Sequence, residues 1–148
     1  MVGECWDGLP IYAQYYASGI DSFFNFEFAD SSGVITKTLT YSGETNNAQA
    51  YAKALVRVQN AIREHREDAI DAPFFSNHDL ARGAGYMRYD ERKVKMAATL
   101  NVLMSGSVFV YYGEEIGMTG SGKDENKRAP MFWYADRQAE GKTVGPAD

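Results

Sequence analysis

An α/β fold with a parallel sheet is what this chain of 148 residues predicts. Three observations carry that reading. Short apolar or aromatic runs recur at residues 1–4, 20–26, 74–76 and 107–112. Stretches of helical periodicity separate them, giving the order β-α-β-α-β-α-β, which favours parallel pairing with right-handed crossovers. Carboxylates then stand at strand ends: Glu4, Asp79 and, one glycine later, Glu114.

The elements follow in order. Residues 1–4 read as the end of a strand, and residues 9–18 (Leu, Ile, Tyr, Ala) as a short helix. Residues 20–26, Ile-Asp-Ser-Phe-Phe-Asn-Phe, are an aromatic-rich strand. A polar loop runs through Asp30, Ser31, Ser32 and Gly33, and no element is assigned to residues 34–45. Tyr51, Leu55, Val58 and Ile62, at spacings of four, three and four, put one apolar face on a helix over 46–67. Thr45 is its expected N-cap, and the charged end at 63–67 is expected to be solvated. Pro73 opens the third strand, residues 74–76. A helix over 91–105 follows, capped by Asp90 and stopped by Gly106. Val94, Ala97, Ala98, Leu100, Leu103 and Met104 give it a broad apolar face that predicts deep burial. Residues 107–112, Ser-Val-Phe-Val-Tyr-Tyr, are the fourth strand. Residues 113–148 read as a long Gly-rich, charged loop, with a turn of helix expected at 132–135.

Composition narrows the function. The chain is 45% hydrophobic and 24% charged, an ordinary globular mix for one domain. A net charge of −5 argues against nucleic acid, whose binding rests on neutralising phosphate. No apolar run is long enough to span a bilayer. The single cysteine, Cys5, excludes an internal disulfide and a Cys-based zinc site, and is expected to be a small buried hydrophobe. Gly117 to Asp124 mimics a phosphate loop, but Asp124 stands where a magnesium-binding Ser or Thr is needed. His65 and His78 have no paired-ligand spacing, and no G-x-S-x-G elbow exists.

What remains is convergent carboxylates beside a histidine at one rim of a parallel sheet, a set suited to glycoside hydrolysis. The simpler reading is that a strand-end carboxylate caps the next helix. His78 beside Asp79, directly after an apolar strand, weighs against it, because adjacent polar groups there are costly unless satisfied or used.

The segments Val2-Gly3-Glu4-Cys5-Trp6-Asp7 and Phe74-Phe75-Ser76-Asn77-His78-Asp79 resemble, in that order, two segments of the α-amylase family (glycoside hydrolase family 13). The likeness continues through residues 95–118 and again at 123–131, and is weak over 33–45. It implies that Glu4 is the general acid, that Asp79 stabilises the transition state, and that His78 binds hydroxyls of the same sugar. Trp6 and Arg128 are further substrate-contact candidates. Cys5 departs mildly from the pattern, standing where an aliphatic residue is usual.

The resemblance further implies a parallel (β/α) half-barrel, strands five to eight of a TIM barrel, with residues 1–148 a partial catalytic domain. A whole barrel takes about 250 residues. The segment bearing the nucleophilic aspartate is missing, since no Arg-x-Asp ends a strand here. A retaining mechanism needs both carboxylates, so the isolated chain is expected to be inactive. The expected partner is an α-glucan, and open sheet edges predict self-association. A non-catalytic glucan-binding module and a purely structural half-barrel are the alternatives. No cofactor is evident. Calcium is implied for the parent by the resemblance alone, since no D-x-D-x-D-G loop occurs. No secretory signal opens the chain, and the resemblance is compatible with a secreted or surface-held parent.

Overall fold

A computed structural model describes residues 1–41 and 47–131. Its centre is a parallel sheet of three strands, β1 (Val2–Gly3), β2 (Ser22–Asn25) and β3 (Ile70–Pro73), in the order β1-β2-β3. Val2 pairs with Ser22 and Ser22 with Ile70, so one register runs across the sheet. Each crossover carries helix. α1 (Leu9–Tyr12) continues as a 3₁₀ helix over Ala13–Ser18 and stops at Gly19, whose φ of 92° suits a residue without a Cβ. α2 (Val34–Thr40) and α3 (Asn47–Arg63) join β2 to β3. α4 (Gly83–Tyr86) and α5 (Glu91–Val102) follow β3, and α6 (Asp124–Lys127) lies in the last described loop.

Period-two alternation divides the sheet's neighbours into two clusters. Phe23 faces Tyr12, Tyr16, Val58 and Ile62 in the main core. Phe24 and Phe26 turn the other way and pack on Phe74. The doublet at 74 and 75 splits likewise: Phe74 joins the second cluster and Phe75 the main core. On α3, Ala54, Val58 and Ile62 are the buried stripe, with Tyr51 and Leu55 packed beside it. Burying Val58 and Ile62 contributes about 1.5–3 kcal/mol each.

Several expectations are corrected. The third strand is Ile70–Pro73, so Pro73 closes it rather than opening it. Asp71 made this run look polar, yet its side chain is buried in a hydrogen-bonded cluster on the helix side of the sheet. The run 107–112 shrinks to a single parallel bridge, Phe74 to Phe109, supported by Ser107 N donating to Asp71 O and Phe109 N to Pro73 O, both at 2.8 Å. Side chains take the groups that would continue the ladder. The Asn101 amide donates to the Phe109 carbonyl, and Tyr111 N donates to the Glu114 carboxylate, both at 3.3 Å.

α2 was not foreseen, because Val-Ile-Thr-Lys-Thr-Leu-Thr is rich in β-branched residues with poor helix propensity. Tertiary packing overrides it: Ile35 is fully buried, and the hydroxyls of Thr38 and Thr40 return to carbonyls four residues back. α5 ends at Val102 and is less buried than its apolar face suggests. Ala97 and Asn101 are enclosed, while Leu103, just past its end, is 77% exposed. Asp90 does cap it, accepting from Arg92 N and Lys93 N. Arg66 departs from the solvated end expected of α3, since it donates to the carbonyls of Gly19 and Ile20 at 3.0 Å. Cys5 is half-buried against the core rather than enclosed. Short helical elements at Glu114–Ile116 and Asp124–Lys127 interrupt the stretch read as a loop. Thr45 and the turn expected at 132–135 lie outside the described residues.

Candidate active site

Two strand ends present the candidate residues to one face of the sheet. A Cβ built on Gly3 would meet the Phe23 ring at 2.6 Å, so position 3 points to the helix side. The next residue, Glu4, therefore lies by alternation on the opposite face, that of Phe24. Glu4 is exposed there. A cleft of about 160 Å³ on the Phe24 face is lined by Phe24, Phe74, Phe109, Ser76, Asn77 and His78, among others. Glu4 and the turn bearing His78 thus share a face.

Trp6 extends that face. Its ring stacks on Phe26 with centroids 5.1 Å apart and planes at 18°, while the residue stays 60% exposed. Phe26 meets Phe74 edge-on at 5.0 Å, and Phe24 meets Phe109 at 4.8 Å. These rings form an aromatic floor between the two strand ends, held by edge-to-face contacts.

The turn after β3 is built by Asn77. Its side-chain carbonyl accepts from Asp79 N at 3.0 Å and Leu80 N at 2.9 Å, an Asx-turn that reverses the chain sharply. His78 Nε2 lies 3.3 Å from Asp79 Oδ2. Arg128 Nη2 pairs with Asp79 Oδ1 at 2.8 Å, and Arg128 Nε donates to the His78 carbonyl at 3.1 Å. Lys127 Nζ donates to the Asp79 carbonyl at 2.9 Å. Asp124 holds both cations, Lys127 at 3.0 Å and Arg128 at 3.1 Å. The Lys127 hydrogen bond first, then the Arg128 charge, keeps the Asp124 carboxyl below the usual carboxylate range. The structure thus brings His78, Asp79 and Arg128 into direct contact and sets Trp6 on the same face through Phe26, the face toward which alternation turns Glu4.

Glu114, the third strand-end carboxylate, sits behind this turn. Ser76 Oγ donates to its Oε1 at 2.5 Å. Burial pushes its carboxyl up, and the Ser76 hydrogen bond opposes that shift. Glu114 braces β3 against the segment at 107–118, where the strand ladder is a single bridge.

Sequence reading missed the residues behind the turn. Asn77 carried an Asx-turn signal in its type and place. Arg82 carried none: a lone arginine in a Gly-rich stretch reads as solvated, yet it is 1% exposed. Two Arg-x-Asp triplets do occur, Arg66-Glu67-Asp68 and Arg88-Tyr89-Asp90, but Asp68 is exposed beyond α3 and Asp90 caps α5, so neither follows a strand. Among the described residues no group of three or more His, Cys, Asp or Glu side chains is placed to hold a metal ion such as calcium. No helix among those residues is long and apolar enough to cross a membrane.

Comparison with known proteins is consistent along nearly the whole chain. A family model described as "Alpha amylase, catalytic domain" matches residues 1–144. Alpha-amylase 3 of Dictyoglomus thermophilum is 32% identical over 143 residues, 97% of this chain but 27% of the relative. The solved structure of Eubacterium rectale Amy13B superposes with a TM-score of 0.90 at 49% identity, covering 99% of this chain and 29% of that one. The alpha-amylase from Geobacillus thermoleovorans, solved with acarbose, gives a TM-score of 0.64 at 25% identity over 86% of this chain and 28% of that one. The chain therefore spans less than a third of the length of these relatives.

Proposed function

The chain belongs to the α-amylase catalytic-domain family, and on that premise we propose that it carries one side of a retaining α-glucan hydrolase site. Its three strands and the bridge at Phe109 correspond to the fifth to eighth strands of the barrel. Glu4 is the general acid and base, Asp79 the transition-state stabiliser, and His78 the ligand of sugar hydroxyls. The substrate class is α-1,4-linked glucan, starch or maltodextrin. One observation supports the reading: Gly3 faces the helix side, so strand alternation turns Glu4 toward the Phe24 face, whose aromatic rings run to the cleft lined by His78.

The chemistry follows from that arrangement. A carboxylic acid at Glu4 protonates the leaving glycosidic oxygen, and as its conjugate base it then takes a proton from water. Asp79 places negative charge beside the ring as oxocarbenium character develops. Arg128 and Lys127 fix the Asp79 turn from behind. Attack on the anomeric carbon needs a second carboxylate about 5 Å from the acid. Neither Arg-x-Asp triplet of this chain meets that need, so the 148 residues alone do not turn over.

A second reading, glucan binding without chemistry, is favoured by Trp6. Its outer ring face is open while Phe26 backs the inner one, an arrangement suited to stacking a sugar. Exposed Val2, Phe109, Val110 and Ile116 support association of the isolated chain through the open sheet.

Incubation with soluble starch separates the two glucan-binding readings from the structural one. The expected result is retardation in a starch gel with no reducing sugar released. Release of sugar that disappears in Glu4→Gln keeps the assigned acid but overturns the inactivity. No retardation and no release, with concentration-dependent sedimentation, leaves only the structural reading.

A further inference from the structure

We propose that Arg82 is a positioning residue for Asp79, acting through the Lys127–Arg128 segment; this rests on the reading of Asp79 as the transition-state stabiliser. Arg82 stands three residues after Asp79 and is 1% exposed. Its Nε donates to the Lys127 carbonyl at 3.1 Å and its Nη1 to the Tyr112 carbonyl at 2.6 Å. The guanidinium lies over the rings of Tyr111 and Tyr112, 4.6 and 4.7 Å from their centroids. Its own backbone N–H donates to Gly120 O at 2.9 Å, tying down the start of the loop that ends in Arg128.

These contacts close a ring. From Asp79 the chain leads to Arg82, from Arg82 a hydrogen bond leads to the Lys127 carbonyl, and from that peptide Lys127 and Arg128 reach back to the Asp79 carbonyl and carboxylate. The Lys127 carbonyl sets the direction in which Arg128 departs. Two donors fix it, Arg82 Nε and the Tyr111 hydroxyl at 3.2 Å.

A guanidinium in this place is costly to desolvate, and one of its nitrogens, Nη2, is buried without a partner. An apolar side chain would fill the volume without that cost. What it could not do is hold two carbonyls at a fixed angle while keeping a delocalised charge 4.6 and 4.7 Å from two ring centroids, which the planar fork of arginine does and lysine does not. Gly113, with a φ of 84°, closes the site tightly: a Cβ there would meet Met118 Sδ at 2.2 Å and Arg82 Nη1 at 3.1 Å.

The test reads Arg128 directly, through the NMR signal of its Nε–H, which donates to the His78 carbonyl. In Arg82→Lys this signal is expected to move to the position of a solvated arginine and to exchange about tenfold faster, the factor expected for one hydrogen bond made by a charged group. Tyr111→Phe, a gentler change that removes the second donor on Lys127, moves it in the same direction by less, and decides the matter if Arg82→Lys does not fold. Val58→Ala, a core variant on α3 matched for lost thermal stability, leaves it in place. An Arg128 signal unmoved in every folded variant of Arg82 and Tyr111 overturns the proposal, as does an equal movement in Val58→Ala. If the starch incubation instead overturns the glucan-site reading, these signals are unaffected, so the two readings fail separately.

Discussion

The end of β1 and the end of β3 carry the two candidate carboxylates under opposite mechanical conditions. Glu4 is exposed, follows a strand of two residues at the edge of the sheet, and stands near Trp6, itself open to solvent. Asp79 is gripped from behind by an Asx-turn, an arginine, a lysine and, through them, a buried arginine. The contrast teaches that fixing a rim residue takes material from elsewhere in the chain. β3 receives it from residues 101–128, packed directly against it, whereas β1 receives hydrogen bonds on one side only, from β2.

The largest effect that can break this contrast is at Phe74, the ring on which the β3 end rests. It is 2% exposed and meets Phe24 and Phe26 edge-on. Phe74→Ala is expected to cost about 3–5 kcal/mol in chemical denaturation. A cost below about 1 kcal/mol would mean that the aromatic floor is already loose.

Next is Asp71, on the opposite face of the same strand. Asn25 Nδ2 donates to its Oδ2 at 2.9 Å and Gln59 Nε2 at 3.3 Å, while Oδ1 is buried without a partner. Burial pushes its carboxyl from 3.8 up to about 6, against the Asn25 hydrogen bond. The folded carboxyl thus binds its proton more tightly than the unfolded one. Its contribution to stability is full below about pH 4 and is lost as pH rises through about 6. That swing is about 3 kcal/mol, at roughly 1.4 kcal/mol per pH unit. Asp71→Asn removes it, so denaturation at pH 4 and pH 7.5 should favour the variant by that much more at the higher pH. Parallel stability curves would sink the assignment. Ser76→Ala is a smaller break at the same strand end. It strips Glu114 of its hydroxyl donor and should cost about 1–3 kcal/mol.

The order of these elements was legible because strands and helices alternate with distinct periods, and the α3 stripe of Val58 and Ile62 lies where spacing put it. β3 was misplaced by three or four residues because a buried aspartate and a terminal proline both look unlike strand. α2 was invisible because its threonines favour strands until tertiary contacts decide. At the site, His78 and Asp79 stood out as polar residues directly after an apolar run. Arg82 and Lys127 did not, because partners 45 residues apart leave no local pattern. Contacts that local spacing cannot encode had to come from the fold.

The smallest expected effects sharpen the contrast between the two rims most directly. Arg128→Ala removes an ion pair whose partners are 43% and 31% exposed, so solvent screening limits its loss to about 1 kcal/mol. Glu4→Gln alters an exposed side chain and should shift stability by no more than about 0.5 kcal/mol. Measured side by side in urea, the first should lower the midpoint and the second leave it in place. Equal costs would show that Glu4 is held as firmly as Asp79, by contacts that its exposure does not suggest. A larger cost at Glu4 would reverse the contrast, and would make β1, despite its length and edge position, the better fixed rim of the site.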